Sequence, residues 1–337
     1  MMRRNHSTIR RTRPNFLVLL ISVSLILAIG ALLFWPKPKA KTIQLTKKPV
    51  LRRATKQNVV DKASQPVNPK QKSKGLQGFS GKIIGPLPHS LRRGLEREKA
   101  KFLSALAARI LIWKLDLRRD LRKNDHIRIL FSDIDEQSKY QIEAMTYHSL
   151  KHGKTFRFYR FKGARQKFAA YYDRTGHNVE LKLHNTPIRE YEQVTSILKM
   201  RRRHKGVDFK APVGTKIYLP WRARVLRINW NLRFNGKSIK VRFLHGKHLH
   251  GIFLHLHKIM PVVRKGAVLR ANTVIAEVGN TGHSTAAHLH YQLQNRHKKI
   301  YDPFKVHRTY TISLSKRDMP AFTARCHLLD DKLAAIK

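Results

Sequence analysis

Two short segments carry the residue types needed for hydrolytic metal chemistry: His204-Lys-Gly-Val-Asp208 in the middle of the chain and His288-Leu-His290 near its end. Together they offer imidazoles and a carboxylate. A catalytic zinc takes three such protein ligands and keeps a fourth position for water. The HxH pattern alone is weak, because the chain has 19 histidines and the triplet recurs as His248-Leu-His250 and His255-Leu-His257. Any one of these histidines is equally well explained as a solvated or hydrogen-bonded side chain in a basic, histidine-rich protein. Strand geometry adds information, since residues i and i+2 share a face. On a strand, His288, His290 and Gln292 point one way while Leu289, Tyr291 and Leu293 point into a core. Two imidazoles about 7 Å apart at Cα, from the rise per residue, suit one ligand and one base beside it. His204 and Asp208 lie four apart, but Gly206 and β-branched Val207 disfavour a helix, so a loop entering a strand is expected there.

The elements that must position these residues read as strands. Residues 190–305 predict an all-β domain: Ser238–Phe243 alternates strictly, with Ile239, Val241 and Phe243 on one face. Gly251–His255 and Thr273–Val278 are further strands, and Asn235-Gly236 and Asn280-Thr-Gly282 are turns. Ahead of it, residues 78–189 predict a small α+β domain. A helix begins near Pro88-His89-Ser90 and carries Leu91, Leu95, Phe102, Leu106 and Ile110 along one face. Strands follow at His126–Phe131, Tyr140–Met145, Phe156–Phe161 and Ala169–Tyr172, and no catalytic constellation is found among them. The tail, 306–337, predicts a helix with Pro320 near its first turn and Phe322, Cys326, Leu329 and Leu333 on one stripe.

The chain of 337 residues is long enough for about two domains of ~100–200 residues each. With 42% hydrophobic residues, 15 Phe, 10 Tyr and 4 Trp, it can build real cores. Its 70 Lys+Arg against 20 Asp+Glu give a formal charge of +50, spread along the whole length. Such a field attracts polyanions non-specifically. Its even spread reads as a compartment-wide bias rather than a dedicated site. No helix-turn-helix, RNP-type or zinc-finger pattern is present, so no specific nucleic-acid partner is expected. The single cysteine, Cys326, excludes an intramolecular disulfide. Phe16–Trp35 is an uncharged run of 20 residues, the length that spans a bilayer. Arginines precede it and no small-x-small cleavage site follows, so it reads as an uncleaved transmembrane anchor over 16–35 after a basic cytoplasmic segment, 1–15. Residues 36–77, rich in Lys, Pro, Gln, Ser and Thr, read as a disordered linker.

His204-Lys-Gly-Val-Asp-Phe-Lys-Ala-Pro-Val-Gly-Thr215 resembles the first metal motif of the lysostaphin-like (LytM-type) zinc metallopeptidases, H-x-G-x-D-[FY]-x-A-P-x-G-T. Phe253-Leu-His255-Leu resembles their tyrosine-x-His-Leu motif. Gly279-Asn-Thr-Gly282-His-Ser-Thr285, His288-Leu-His290-Tyr and Tyr301-Asp-Pro-Phe304 continue in the family's order over about 110 residues. The α+β domain ahead resembles, more weakly, the accessory domain of membrane-tethered Gram-negative cell-wall endopeptidases of this family. The resemblance implies a mainly β, antiparallel LytM-type catalytic domain that binds Zn2+ through His204, Asp208 and His290, with His255 and His288 as the catalytic imidazoles. It implies peptidoglycan as substrate, cut at a D-alanyl–diaminopimelate cross-link. The enzyme would then be a single-pass inner-membrane protein with its catalytic domain in the periplasm. Some relatives have lost metal ligands and only activate cell-wall amidases or bind the wall, whereas all five histidine and aspartate positions persist here. Two departures bear on substrate alignment: Ala286-Ala287 replaces the usual Gly-Pro, and the expected Phe-Gly-x-Arg…His-Pro segment is reduced to Ser196–Arg203. No regulatory protein partner is identified by the residues or by the resemblance.

Overall fold

A computed structural model describes residues 75–134, 140–198 and 204–336, and the predicted anchor and almost all of the linker lie outside the described residues. Among the described residues no helix is long and apolar enough to cross a membrane. Alternating apolar residues build two large antiparallel sheets, beside a small two-stranded one. The first is a five-stranded meander in sequence order: β1 (Gln77–Lys82), β2 (His126–Asp133), β3 (Tyr140–Ser149), β4 (Lys154–Phe161) and β5 (Ala170–Tyr172). Helices α1 (Leu87–Leu91) and α2 (Arg97–Leu111) cover one face, packing Leu91, Leu103 and Ala107 on Ile127, Ile129, Met145 and Phe158.

The predicted helix face needs a correction. The helix is interrupted between Leu91 and Arg97, and the break resets its phase. The stripe that α2 buries is Ala100, Leu103, Ser104, Ala107, Ile110 and Leu111, so Ile110 is buried as predicted, while Phe102 is exposed and Leu106 only half-buried. Gly94 sits in the break, where a Cβ would meet the Phe79 ring at 3.0 Å.

The second sheet has ten strands. Besides β7 (Gln193–Ser196) and β8 (Val207–Lys210) it contains β9 (Lys216–Tyr218), β10 (Ala223–Ile228), β11 (Lys237–Phe243) and β12 (His250–Ile259). β13 (Val268–Leu269), β14 (Val274–Val278), β15 (His288–Gln294) and β16 (Ile300–Tyr301) complete it. Its central order is β13-β10-β11-β12-β15-β8-β7, with β14 joining β12 to β9. One face builds a core from Val207, Phe209, Val241, Phe243, Phe253, Leu289, Tyr291 and Leu293. The Asn235-Gly236 turn lies at the end of the short helix α3 (Leu232–Asn235). Trp113 packs against both cores and meets Phe304, in α4 (Pro303–Val306), edge-on at 5.1 Å.

The tail returns to the first sheet. β17 (Thr309–Tyr310) pairs with β6 (Lys182–Leu183), and helix α5 (Met319–Ala334) lies on the open face of the meander. Phe322, Cys326, Leu329 and Leu333 are its buried stripe, against Leu130, Ala144, Tyr159 and Tyr172. Polar ties hold its outer edge: Arg325 donates to Glu143 at 2.7 Å, and Asp330 accepts from Tyr159 at 2.7 Å and pairs with Arg174. All described residues fall within one compact unit, Asn68–Lys337. The ring of Phe322 lies 5.4–6.2 Å from those of Phe161, Tyr172 and Tyr159. Phe322→Ala is therefore expected to cost about 3–5 kcal/mol of stability, typical of a buried aromatic removed without collapse of its site. Unfolding in urea measures it, and a loss below about 1 kcal/mol would show that α5 is not part of this core.

Candidate metal centre

Strand register brings the candidate residues together. In the antiparallel pair β8–β15, Asp208 stands directly opposite His290, and His288 opposite Lys210. Directly opposed residues on one face are the closest cross-strand neighbours a sheet offers. His290 Nδ1 accordingly lies 2.7 Å from Asp208 Oδ1, and His204 Nε2 lies 3.1 Å from Asp208 Oδ2. His204 comes from the loop entering β8, as Gly206 and Val207 predict. His288 Nε2 is 3.8 Å from Asp208 Oδ1. The imidazole of His255 lies 4.8 Å from that of His288 and 6.2 Å from that of His290, between ring centroids. All five residues singled out from the sequence thus form one cluster.

His255 reaches the cluster through an irregularity that alternation does not reveal. Lys237 pairs with Leu256 but Ile239 with Phe253, so β12 holds one more residue than β11 over this stretch. Strict alternation from the core residue Phe253 would send His255 into the core. The bulge instead gives His255 a φ of +64°, puts Leu256 in the core, and turns the imidazole to the site. Bulges that re-aim a side chain are frequent beside functional sites.

Backbone carbonyls then fix the rings. A carbonyl can only accept, so the nitrogen facing it must carry the proton. His204 Nδ1 donates to Ile197 O at 3.0 Å, His255 Nδ1 to Thr281 O at 2.9 Å, and His288 Nδ1 to Ala286 O at 2.8 Å. Each of these rings, when neutral, keeps its Nε2 lone pair, and for His204 and His288 that atom faces Asp208. Burial would raise the Asp208 pKa, but hydrogen bonds and charge from His204 and His290 outweigh it and hold the carboxyl well below the usual carboxylate range. Burial, with the neighbouring imidazoles adding to it, pushes His255 down to about 4. His255 is therefore neutral at pH 7.

The sequence reading noted Gly206 as a helix breaker and Ala286 as a departure in the groove wall, but it gave no site role to the carbonyls of Thr281 and Ala286 or to the missing side chain of Gly206. A Cβ on Gly206 would come within 2.5 Å of Tyr291 O and 2.7 Å of His290 Nε2. Glycine alone lets the loop lie against His290. Gly279 likewise lets its loop approach the backbone of Leu256 and His257, and its carbonyl accepts from the His288 N–H at 3.1 Å. The signal for such roles was Gly206 within the His204–Asp208 motif and Gly279 in the loop ahead of His288. A cleft of about 500 Å3 opens from Asp208, Ala286, Ala287 and His288 toward Trp113 and Arg109 on the α2 side.

One ligand atom each from His204, Asp208 and His290 can be chosen so that all lie within 4.8 Å of one another, close enough to share an ion with bonds of about 2.0–2.2 Å. Residues 202–303 match the model of Peptidase family M23. This segment is an M23 peptidase domain. The chain is similar to the peptidoglycan DD-endopeptidase ShyB of Vibrio cholerae, 29% identical over 272 residues, 76% of this chain and 60% of that protein. It is 27% identical to the peptidoglycan DD-endopeptidase ShyA of the same organism over 232 residues, 66% of this chain and 51% of that protein. The chain thus spans between half and three fifths of the length of these relatives. A crystal structure of a zinc-containing peptidase from Vibrio cholerae is also similar, with a TM-score of 0.33 and 25% identity over 72% of each chain.

Within the M23 domain His255 is one of the non-glycine residues with a left-handed backbone, and the one at the candidate site. A left-handed φ costs an L-residue about 1–2 kcal/mol that glycine does not incur. His255→Gly is expected to be more stable than His255→Ala by about 1 kcal/mol, measured by chemical denaturation. Equal stabilities would mean that the bulge does not hold its left-handed turn in solution.

Proposed function

We propose that the chain is a zinc-dependent endopeptidase that hydrolyses peptide cross-links of peptidoglycan. The observation that carries this reading is the convergence of His204, Asp208 and His290 on one point, with two further imidazoles beside it. Two imidazole nitrogens and a carboxylate oxygen are a donor set that suits Zn2+, and three protein ligands leave a position open. The residues present therefore fit the ion. Bound there, zinc would supply Lewis acidity, acidifying a water and polarising a carbonyl.

The chain's own residues supply the proton handling and the orientation. Asp208 stays anionic over the working pH range, so its charge is available to a cation at any neutral pH. The Ile197 carbonyl holds His204 in the tautomer that presents Nε2 to the site. His288 and His255 direct Nδ1 to backbone carbonyls and so, in the neutral ring, offer the Nε2 lone pair. One of them takes a proton from the attacking water and returns it to the leaving amine. No covalent bond to the protein is required. The cleft beside Asp208 and His288, of about 500 Å3, has Ala286 and Ala287 in its wall.

Support for the substrate comes from the Vibrio relatives, both peptidoglycan DD-endopeptidases, and from the M23 match. The uncharged run Phe16–Trp35 supports an inner-membrane anchor with the M23 domain on the periplasmic side.

The full chain is expected to hold about one zinc and to release cross-linked fragments from purified peptidoglycan. His290→Ala and Gly206→Ala should lose the metal, the second because its Cβ displaces the His290 ring. His288→Ala should keep the metal and lose about 10²–10⁴ in kcat, the usual worth of a positioned acid–base group. Metal analysis and chromatography of the released fragments read these outcomes. Stoichiometric zinc with no cross-link release would sink the peptidase reading.

A further inference from the structure

A second pocket, of about 620 Å3, lies between the β11–β12 loop and the β15–β16 loop, at the far end of the strands that carry the metal centre. Six of its lining side chains are basic or can become so: Arg242, Lys247, His248, His250, Arg296 and His297. No acidic residue lines it. Among the described residues no carboxylate pairs with Arg242, Lys247 or Arg296. The cations are held close together by the sheet itself, since Arg242 stands opposite His250 and His250 opposite Gln294. Burial and then the charges of Lys240 and Arg242 lower the His250 pKa, and its buried Nδ1 has no hydrogen-bond partner. Uncompensated like charges fixed in one concavity are unfavourable unless an anion enters.

Two of the lining residues, Arg242 and His250, lie on the face that bears the metal centre. Val241 and Phe243 point into the core, so Arg242 points to the opposite side, with His250 and Gln294. Along β15 that side carries His288, His290, Gln292 and Gln294, and Gln292 Nε2 donates to Gln294 Oε1 at 2.7 Å. That bond leaves Gln292 Oε1 to accept and Gln294 Nε2 to donate. The four residues from His290 to Gln294 span about 13–14 Å. An extended peptide advances by nearly the same distance over four residues.

We propose that this basic pocket seats a carboxylate of an acidic peptide substrate that lies extended along β15, with its scissile bond at the metal centre. The inference rests on the peptidase reading above and adds a specificity element to it. The guanidinium forks of Arg242 and Arg296 match a carboxylate bidentately. An anionic lipid or free phosphate would not require the aligned row that joins the pocket to the centre.

The test compares the full chain with the double variant R242Q/R296Q. A control, R92Q/R93Q, removes the same charge from exposed residues near the first sheet. The substrates are a synthetic cross-linked stem peptide with free carboxylates and its amidated form. Wild type should show a KM at least tenfold lower for the free acid than for the amide. R242Q/R296Q should lose this preference with kcat within twofold, and the control should keep it. Calorimetry of the acid and the amide with zinc-stripped protein reads the same preference without turnover, so it decides the pocket even if neither peptide is cleaved. Equal affinity for acid and amide overturns the proposal, as does an equal loss in the control, which would assign the effect to the overall charge. Loss of binding to phosphatidylglycerol vesicles or to inorganic phosphate in R242Q/R296Q, with peptide KM unchanged, would assign the pocket to phosphate instead.

Discussion

The contact between Asp208 and His290 is a consequence of register. In an antiparallel sheet a shift of one residue sends every side chain to the other face. The buried residues on either side of the pair, Val207 and Phe209 on β8 and Leu289 and Tyr291 on β15, make any such shift prohibitive, because it would expose four large apolar groups together. The hydrophobic core therefore sets the position of the polar cluster without touching it. The carboxylate of the cluster is desolvated, and the imidazoles around it more than offset that burial. Such an arrangement persists where the surrounding fold over-determines it.

The other members of the site are attached to this pair by main-chain devices. A bulge with a left-handed residue turns His255 out of the core, and three carbonyls, those of Ile197, Thr281 and Ala286, select the ring tautomers of His204, His255 and His288. Carbonyls at 2.8–3.0 Å leave the rings little freedom to reorient. A site built this way is sensitive to loop backbone. Ala286-Ala287 is thus more than a change in the groove wall, since one of its carbonyls orients a histidine.

The rest of the described chain frames this sheet. The five-stranded meander is enclosed on both faces, by α1 and α2 on one side and by α5 on the other, so the segment after the M23 domain completes a core that begins before it. Trp113 contributes to both large cores, and the cleft beside the metal centre has one wall on each sheet. Groups from outside the M23 domain consequently face the cleft in which a substrate would lie.

Much of this was written in the sequence. Alternation in Ser238–Phe243 and in His288–Leu293, the Gly-Val break after His204, and the stripe Phe322, Cys326, Leu329 and Leu333 each specify a local period. A local period is a property of neighbouring residues alone. The residues of the candidate metal centre were legible because they sit in short motifs, His204-Lys-Gly-Val-Asp208, Phe253-Leu-His255-Leu and His288-Leu-His290-Tyr. What only the tertiary structure decided is long-range or main-chain in origin. No periodicity shows that β12 carries an extra residue opposite β11, that helix α2 restarts in a new phase after Gly94, or that α5 docks on the first sheet. The basic pocket belongs to the same class: Arg242, His250 and Arg296 are separated in sequence and adjoin only because β11, β12 and β15 are paired in one register. Side-chain type fixes what a residue can do, but pairing between distant strands fixes what it meets.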